Sequence, residues 1–125
     1  MEPTERELQI LKVLWERGES TVREVYEALR DEVPIVQNTV QAFLRIMEGK
    51  GFVAHSSRGR SFVYRPLRQR ERTSREVLSG VLDDVFDGAL DALVVSAFRL
   101  KKPTAAELER LRQLLDEHEA KRRRG

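Results

Sequence analysis

Between residues 38 and 60 lie side chains of the types that read nucleic acid. Asn38, Thr39, Gln41, Ala42 and Arg45 fall within two helical turns of one another, and Arg58 and Arg60 follow after a short interval. A carboxamide pairs bidentately with adenine and a guanidinium with guanine, while an Ala or Thr methyl packs on the thymine methyl. Arginines at an exposed turn suit phosphate or the minor groove. Thr21 and Arg23 begin an earlier helical segment, where a hydroxyl and free backbone N–H groups can meet a phosphate. Plainer roles compete. Asn38 can be a helix cap, and that role is preferred for it. Thr39 can contact phosphate from the first turn. Arg58 and Arg60 can be a solvated turn. Gln41 and Arg45 have no other evident task and are assigned to the groove.

The surrounding pattern supplies the elements that must hold these groups. Val22, Val25, Tyr26 and Leu29 recur at i, i+3, i+4, i+7 and predict a short amphipathic helix, opened by a Thr21–Glu24 capping box. Val40, Phe43, Leu44 and Met47 repeat that spacing in a second helix. Asn38 is its expected cap, with Gln41 at the capping-box position, and Gly51 ends it in a left-handed turn. Pro34 separates the two helices. With that apolar stripe inward, about 100° per residue turns Asn38, Gln41, Ala42, Arg45 and Gly49 outward, with Thr39 flanking. The arms FVAH and SFVY are rich in β-branched and aromatic residues and predict a hairpin, with Ser56–Arg60 as its basic turn and Pro66 as its end. Two helices followed by such a hairpin outline a winged helix-turn-helix, which lays one helix in a DNA major groove.

Ahead of this unit a helix is expected over about Glu5–Arg17, capped by Thr4 and Glu7 and stopped by Gly18. Leu8, Leu11 and Trp15 form its inner face, with Ile10 and Leu14 beside them and Trp15 as a core anchor. Ser20 and Thr21 suit a short strand pairing with the hairpin. After Pro66 the segment RQRERTSRE reads as a charged linker. A Thr73–Glu76 capping box then opens a helix, Gly88 bends or breaks the chain, and Lys101–Pro103 is a turn. A last helix is capped by Thr104 and Glu107 and ends in a basic tail. These helices carry more apolar surface than they can bury on one another, so self-association is expected through Val77, Val81, Val85, Leu90, Leu93, Val94, Leu108, Leu111 and Leu115. Folding back onto the winged unit in a monomer is the other reading. The fold class is thus mainly α with a small β-hairpin, a winged helix-turn-helix at residues 1–69 and a helical dimerisation region at 70–125.

Charge is distributed to match. Residues 36–72 hold eight basic and two acidic side chains, whereas residues 1–35 hold five basic and nine acidic, so the positive segment coincides with the second helix and the hairpin. Phosphate neutralisation supplies most non-specific affinity for DNA, which this placement suits. There is no cysteine, which excludes disulfides and thiolate chemistry and suits a reducing compartment. No apolar run approaches the roughly 20 residues of a membrane span, and the start MEPTERE lacks a signal-peptide apolar region. A cytoplasmic chain without membrane insertion is expected. His55 and His118 stand far apart with no second His or Cys nearby, and Asp83, Asp84, Asp87 and Asp91 read as a solvated face. No metal or cofactor is expected.

These residues also resemble a family. TERELQILKVLWERGESTVREVYEAL, NTVQAFLRIMEGKGFV and RGRSFVYRP are similar to the penicillinase-repressor family, of the BlaI/MecI type. The most specific part is W-x-x-G-x-x-T-V-R-E-V over Trp15–Val25, supported by T-V-Q at Thr39–Gln41 and G-R-x-x-x-Y at Gly59–Tyr64. The likeness is close over residues 4–66 and looser over 67–120. It implies a homodimeric bacterial repressor with a winged helix and a helical dimerisation domain, binding a dyad operator. In the β-lactam-responsive members a membrane sensor triggers cleavage of an Asn–Phe bond in the dimerisation domain. The corresponding pair here is Ala97–Phe98, so a sensor-activated protease is the implied partner while the Asn is replaced. The cysteine cluster of copper-responsive members is absent.

Two other function classes compete with a repressor. A winged helix can serve as a protein–protein adaptor without sequence-specific DNA binding, although an adaptor needs no positive groove face. An enzyme is not expected, since there is no Ser-His-Asp constellation, glycine-rich phosphate loop or zinc motif.

Overall fold

A computed structural model describes residues 2–125. Its elements run α1 (Glu5–Arg17), β1 (Ser20–Thr21), α2 (Val22–Leu29), α3 (Gln37–Gly49), β2 (Val53–Arg58), β3 (Ser61–Pro66), α4 (Arg70–Asp84), α5 (Leu90–Leu100) and α6 (Ala105–Arg124). The chain forms two compact units, one reaching Ser79 and one spanning Gly80–Gly125. The first unit therefore takes in the opening turns of α4.

In the first unit, α1 to α3 pack on a three-stranded antiparallel sheet of order β1-β3-β2. Ser20 pairs with Tyr64, and His55 with the same Tyr64 from the other side. The core draws on α1, α2, α3 and the base of the hairpin: Ile10, Leu11, Leu14, Val25, Leu29, Val40, Leu44, Met47, Phe52, Val53 and Tyr64. A fully buried side chain of this size contributes about 1.5–3 kcal/mol. Thr4, Thr21 and Thr104 each complete a reciprocal capping box with the Glu three residues on, as their spacing predicts.

The inner face of α1 is rotated from the expected stripe. Glu7, Ile10, Leu11, Val13 and Leu14 are buried, while Leu8 and Trp15 are half-buried. The cause is Glu7, whose carboxylate turns inward to accept two bonds from the Lys50 ammonium at 2.9 and 3.2 Å. Trp15 packs at the core edge and anchors the chain beyond the hairpin, its Nε1 donating to the Arg68 carbonyl at 2.9 Å.

The start of α3 also departs from expectation. Its cap is Val36, in extended conformation (φ −109°, ψ 160°), and no side chain caps it. Asn38 is the second helical residue and not the cap, and Gln41 lies beyond the capping-box position. Val36 is the extended residue from which the helix departs, so Gln37 already lies in its first turn. At the other end Gly51 (φ 81°) does make the left-handed turn. The Phe52 N–H bonds the Met47 carbonyl at 2.9 Å and the Gly51 N–H bonds Glu48 at 3.1 Å. This is a Schellman motif, and its characteristic apolar contact is Phe52 on Met47, both fully buried.

The hairpin is longer than FVAH and SFVY. Ser56, Ser57 and Arg58 continue β2, leaving only Gly59–Arg60 between the paired Arg58 and Ser61. Gly59 has φ 62°, as a two-residue turn with glycine first requires. Phe52 precedes the strand and is wholly in the core.

The expected Thr73–Glu76 box is not formed. Helix α4 begins at Arg70, Thr73 is buried inside it, and Glu76 accepts from Arg68 and Arg72. Most of RQRERTSRE is thus helix. The bond from Trp15 pins Arg68, whose guanidinium lies 4.6 Å over the Phe52 ring and pairs with Glu76 at 2.7 Å, so the helix starts where the chain is already held.

In the second unit Asp87 (φ 52°) and Gly88 (φ 79°) reverse the chain ahead of α5, and Lys101–Pro103 separate α5 from α6. Asp83, Asp84, Asp87 and Asp91 are exposed, and no residue from Gly80 to Gly125 is buried.

The Glu7–Lys50 pair has a testable consequence. Burial pushes the Glu7 carboxyl up, but the bonds from the Thr4 N–H and Lys50 outweigh it and hold the group below its ordinary value. Its contribution is present above the unfolded carboxylate range, about pH 4.3, and is lost as pH falls through the folded value. Lys50→Met strands the buried carboxylate and should cost about 1–3 kcal/mol at neutral pH. Urea titrations of both proteins should show that difference at pH 7 and its decline as pH falls through the folded value of Glu7.

Candidate nucleic-acid interface

Burial of Val40, Leu44 and Met47 sets the rotation of α3. Asn38, Thr39, Gln41, Ala42, Arg45 and Gly49 are all exposed, as the helical spacing predicts, together with Gln37 and Ile46. The uncapped first turn leaves its leading N–H groups for solvent or an anion.

An open groove of about 480 Å³ lies between the first turn of α2, the first turns of α3 and strand β3. It brings together Thr21, Arg23, Gln41 and Arg60, four of the residues singled out in the sequence, with Gln37, Ser61 and Phe62. Thr21 Oγ1 accepts from the Glu24 N–H at 3.1 Å. The Thr21 N–H, donating to the Glu24 carboxylate at 2.9 Å, and then the Thr21 hydroxyl hold that carboxyl below its ordinary value. Arg23 Nε bonds Glu27 at 3.0 Å, a pair exposed on both sides and so weak, and its terminal nitrogens remain available. Asn38, Thr39, Ala42, Arg45 and Arg58 do not line this groove. The first four lie on the exposed surface of α3, and Arg58 reaches toward Glu19 at 3.8 Å.

Among the described residues, Arg45 and Arg60 form no ion pair, so their charges are not neutralised within the chain. Two such guanidiniums, one on the helix and one at the turn, suit a polyanion that spans both. Gln37, Ser61 and Phe62 escaped the sequence reading. Placing the helix start at Pro34–Val36 would have found Gln37. Strand alternation through the two-residue turn would have put Phe62 on the same face as Tyr64.

A sequence model of the penicillinase repressor family matches residues 3–117. The penicillinase repressor of Bacillus licheniformis is 25% identical over 120 residues, which are 96% of this chain and 94% of that protein. The solution structure of the Bacillus licheniformis BlaI monomer in complex with the blaP half-operator is similar with a TM-score of 0.50 and 28% identity, over 57% of this chain and 87% of that one. A MarR family protein from Bacillus stearothermophilus is similar in fold alone, with a TM-score of 0.51 and 24% identity over 91% of this chain and 76% of its own. The match of the family model from the first helix into the last, on a chain whose helix order and hairpin are those of a winged helix, places this protein in the penicillinase repressor family.

Proposed function

We propose that this chain is a homodimeric transcriptional repressor that binds a dyad DNA operator, with residues 1–69 as its winged-helix DNA-binding part and 70–125 as its dimerisation region. The observation that carries the DNA reading is one surface on which Gln41, Arg23 and Arg60 share a groove, while Arg45 stands exposed beside it without an ion pair. The relative solved with a half-operator supports it over an adaptor role. In this reading α3 enters the major groove. Gln41 and Arg45 read base edges, and Asn38 and Ala42 stand ready to do so. Thr21, Arg23, Thr39, Arg58 and Arg60 engage the backbone or the minor groove. No helix among the described residues is long and apolar enough to cross a membrane.

Dimerisation is supported by the second unit's lack of a core. Val85 is 67% exposed, Leu90 64% and Leu115 69%, and Val81, Val94 and Leu111 are exposed as well. Val77, Leu93 and Leu108 are half-buried. Side chains of this kind, on α5, α6 and the latter part of α4, suit a second copy of the same helices. Because two linked half-sites bind far more tightly than one, loss of the dimer releases the operator. Cleavage at Ala97–Phe98 would do this. That bond lies inside α5, where the Lys101 N–H bonds the Ala97 carbonyl at 3.1 Å, so a protease must first unwind the helix locally.

Three measurements test this reading. Arg45→Ala or Gln41→Ala should relax sequence preference by roughly 1–3 kcal/mol, whereas Arg60→Ala should weaken all duplexes alike and lower the salt slope by about 1. A gel shift across several salt concentrations separates the two, and sequence-independent binding by the wild type would favour the adaptor. Light scattering should find a dimer for the full chain and a monomer for residues 1–69, and a full-length monomer at micromolar concentration rejects the dimer. Operator occupancy and chain length, followed together in stressed cells, should fall together. Release with the chain intact rejects cleavage.

A further inference from the structure

The alternation of β2 and β3 carries one face of the hairpin beyond the core. Val53 and Tyr64 on this face are buried in the core, and His55 and Phe62 extend it toward the turn. There the His55 ring stacks on Phe62 with centroids 4.4 Å apart and tilts against Tyr64 at 5.6 Å. Its Nδ1 lies 2.7 and 2.8 Å from the two carboxylate oxygens of Glu48, in the last turn of α3. The His55 backbone N–H donates to the same carboxylate at 3.2 Å. One carboxylate thus holds both the backbone and the ring of a wing residue, and the ring is held flat by its aromatic neighbours.

We infer that Glu48 and His55 are a positioning pair, which fixes the wing against the recognition helix and strengthens DNA binding when His55 is protonated. The inference rests on the DNA-binding reading above. Neither residue reaches the groove, so they act through the groups they hold. Phe62 lines the groove beside Arg60 and Ser61, and it lies under the His55 ring. The charged and titratable groups about the pair are Arg45 and Glu48 on α3 and the Tyr64 phenol on β3. Burial first, and then the Glu48 charge, push that phenol up, with Arg45 opposing. An exposed ion pair is ordinarily weak, because it must order two side chains. Here each side chain is about two-thirds covered, at 34% exposure, and the backbone bond and the stacking have already ordered both. Imidazolium against carboxylate is a charge-assisted contact, and neutral imidazole leaves an ordinary hydrogen bond. The extra strength is present while the ring is protonated and is lost when it is neutral.

The test is fluorescence anisotropy of the full chain on a labelled duplex selected from a random-sequence pool, at constant ionic strength, between about pH 5.5 and 8. Wild-type affinity should weaken as pH rises across that range, by at most roughly tenfold, because a wing released by the neutral ring must be ordered again on binding. His55→Asn places an amide nitrogen near the Nδ1 position. It should bind with no pH response. His55→Ala should bind weakly throughout, also with none. Glu48→Gln should lose the response while keeping the histidine. A response retained in Glu48→Gln would mean that the imidazolium acts on DNA directly, and one retained in His55→Asn would trace it to another group such as His118. Either result overturns the inference. So does a wild type that binds equally well at every pH. A wild type that binds no duplex at any pH overturns the DNA reading along with it.

Discussion

The inner stripe of α3 is the constraint on which the rest of the binding surface depends. Val40, Leu44 and Met47 are fully buried against α1, α2 and the base of the hairpin. A helix has one rotational freedom about its axis, and burying one stripe removes it. The outward direction of Gln41 and Arg45 is therefore a packing result, obtained without any contact of their own. A polar or smaller residue at Leu44 would loosen the rotation before it touched the interface, since a vacated core volume is only partly refilled.

The same core also sets the wing. The Schellman motif at Gly51 returns the chain directly beneath the helix it has just left, so Phe52 drops onto Met47 and Val53 begins the strand. From there the two-residue turn fixes the register, and the register decides that His55 and Phe62 share a face with Tyr64. The strand that returns from the wing is then secured. The Leu67 N–H bonds the Phe52 carbonyl at 2.9 Å, and Trp15 holds Arg68. Helix and hairpin are thus placed by one continuous set of contacts, as a surface that must match a duplex requires.

The second unit is built on the opposite principle. Its helices are well formed, and α6 is capped by a complete Thr104–Glu107 box, yet nothing in it is buried. Local hydrogen bonding and capping can specify a helix, but they do not remove apolar surface from water. Such a unit stands on what covers it.

Much of this was legible in the chain itself. The 3.6-residue periodicities, the three Thr–Glu capping boxes that did form, Gly18, Gly51 and the basic turn all act within a few residues, so local stereochemistry determined them. The outward face of α3 followed too, because periodicity and rotation carry the same information. What the sequence left open were the choices settled by distant contacts. Glu7 is buried because Lys50, in the turn after α3, meets it. Thr73 is helix interior because Trp15 and Phe52 hold Arg68 and the helix begins early. Asn38 is not the cap, because α3 departs from the extended Val36 and begins at Gln37. Glu48 and His55 read as two unrelated surface residues until the hairpin folded one onto the other. A capping box and a buried threonine can share one local sequence. Only the tertiary packing, which decides what each side chain would leave exposed, separates them.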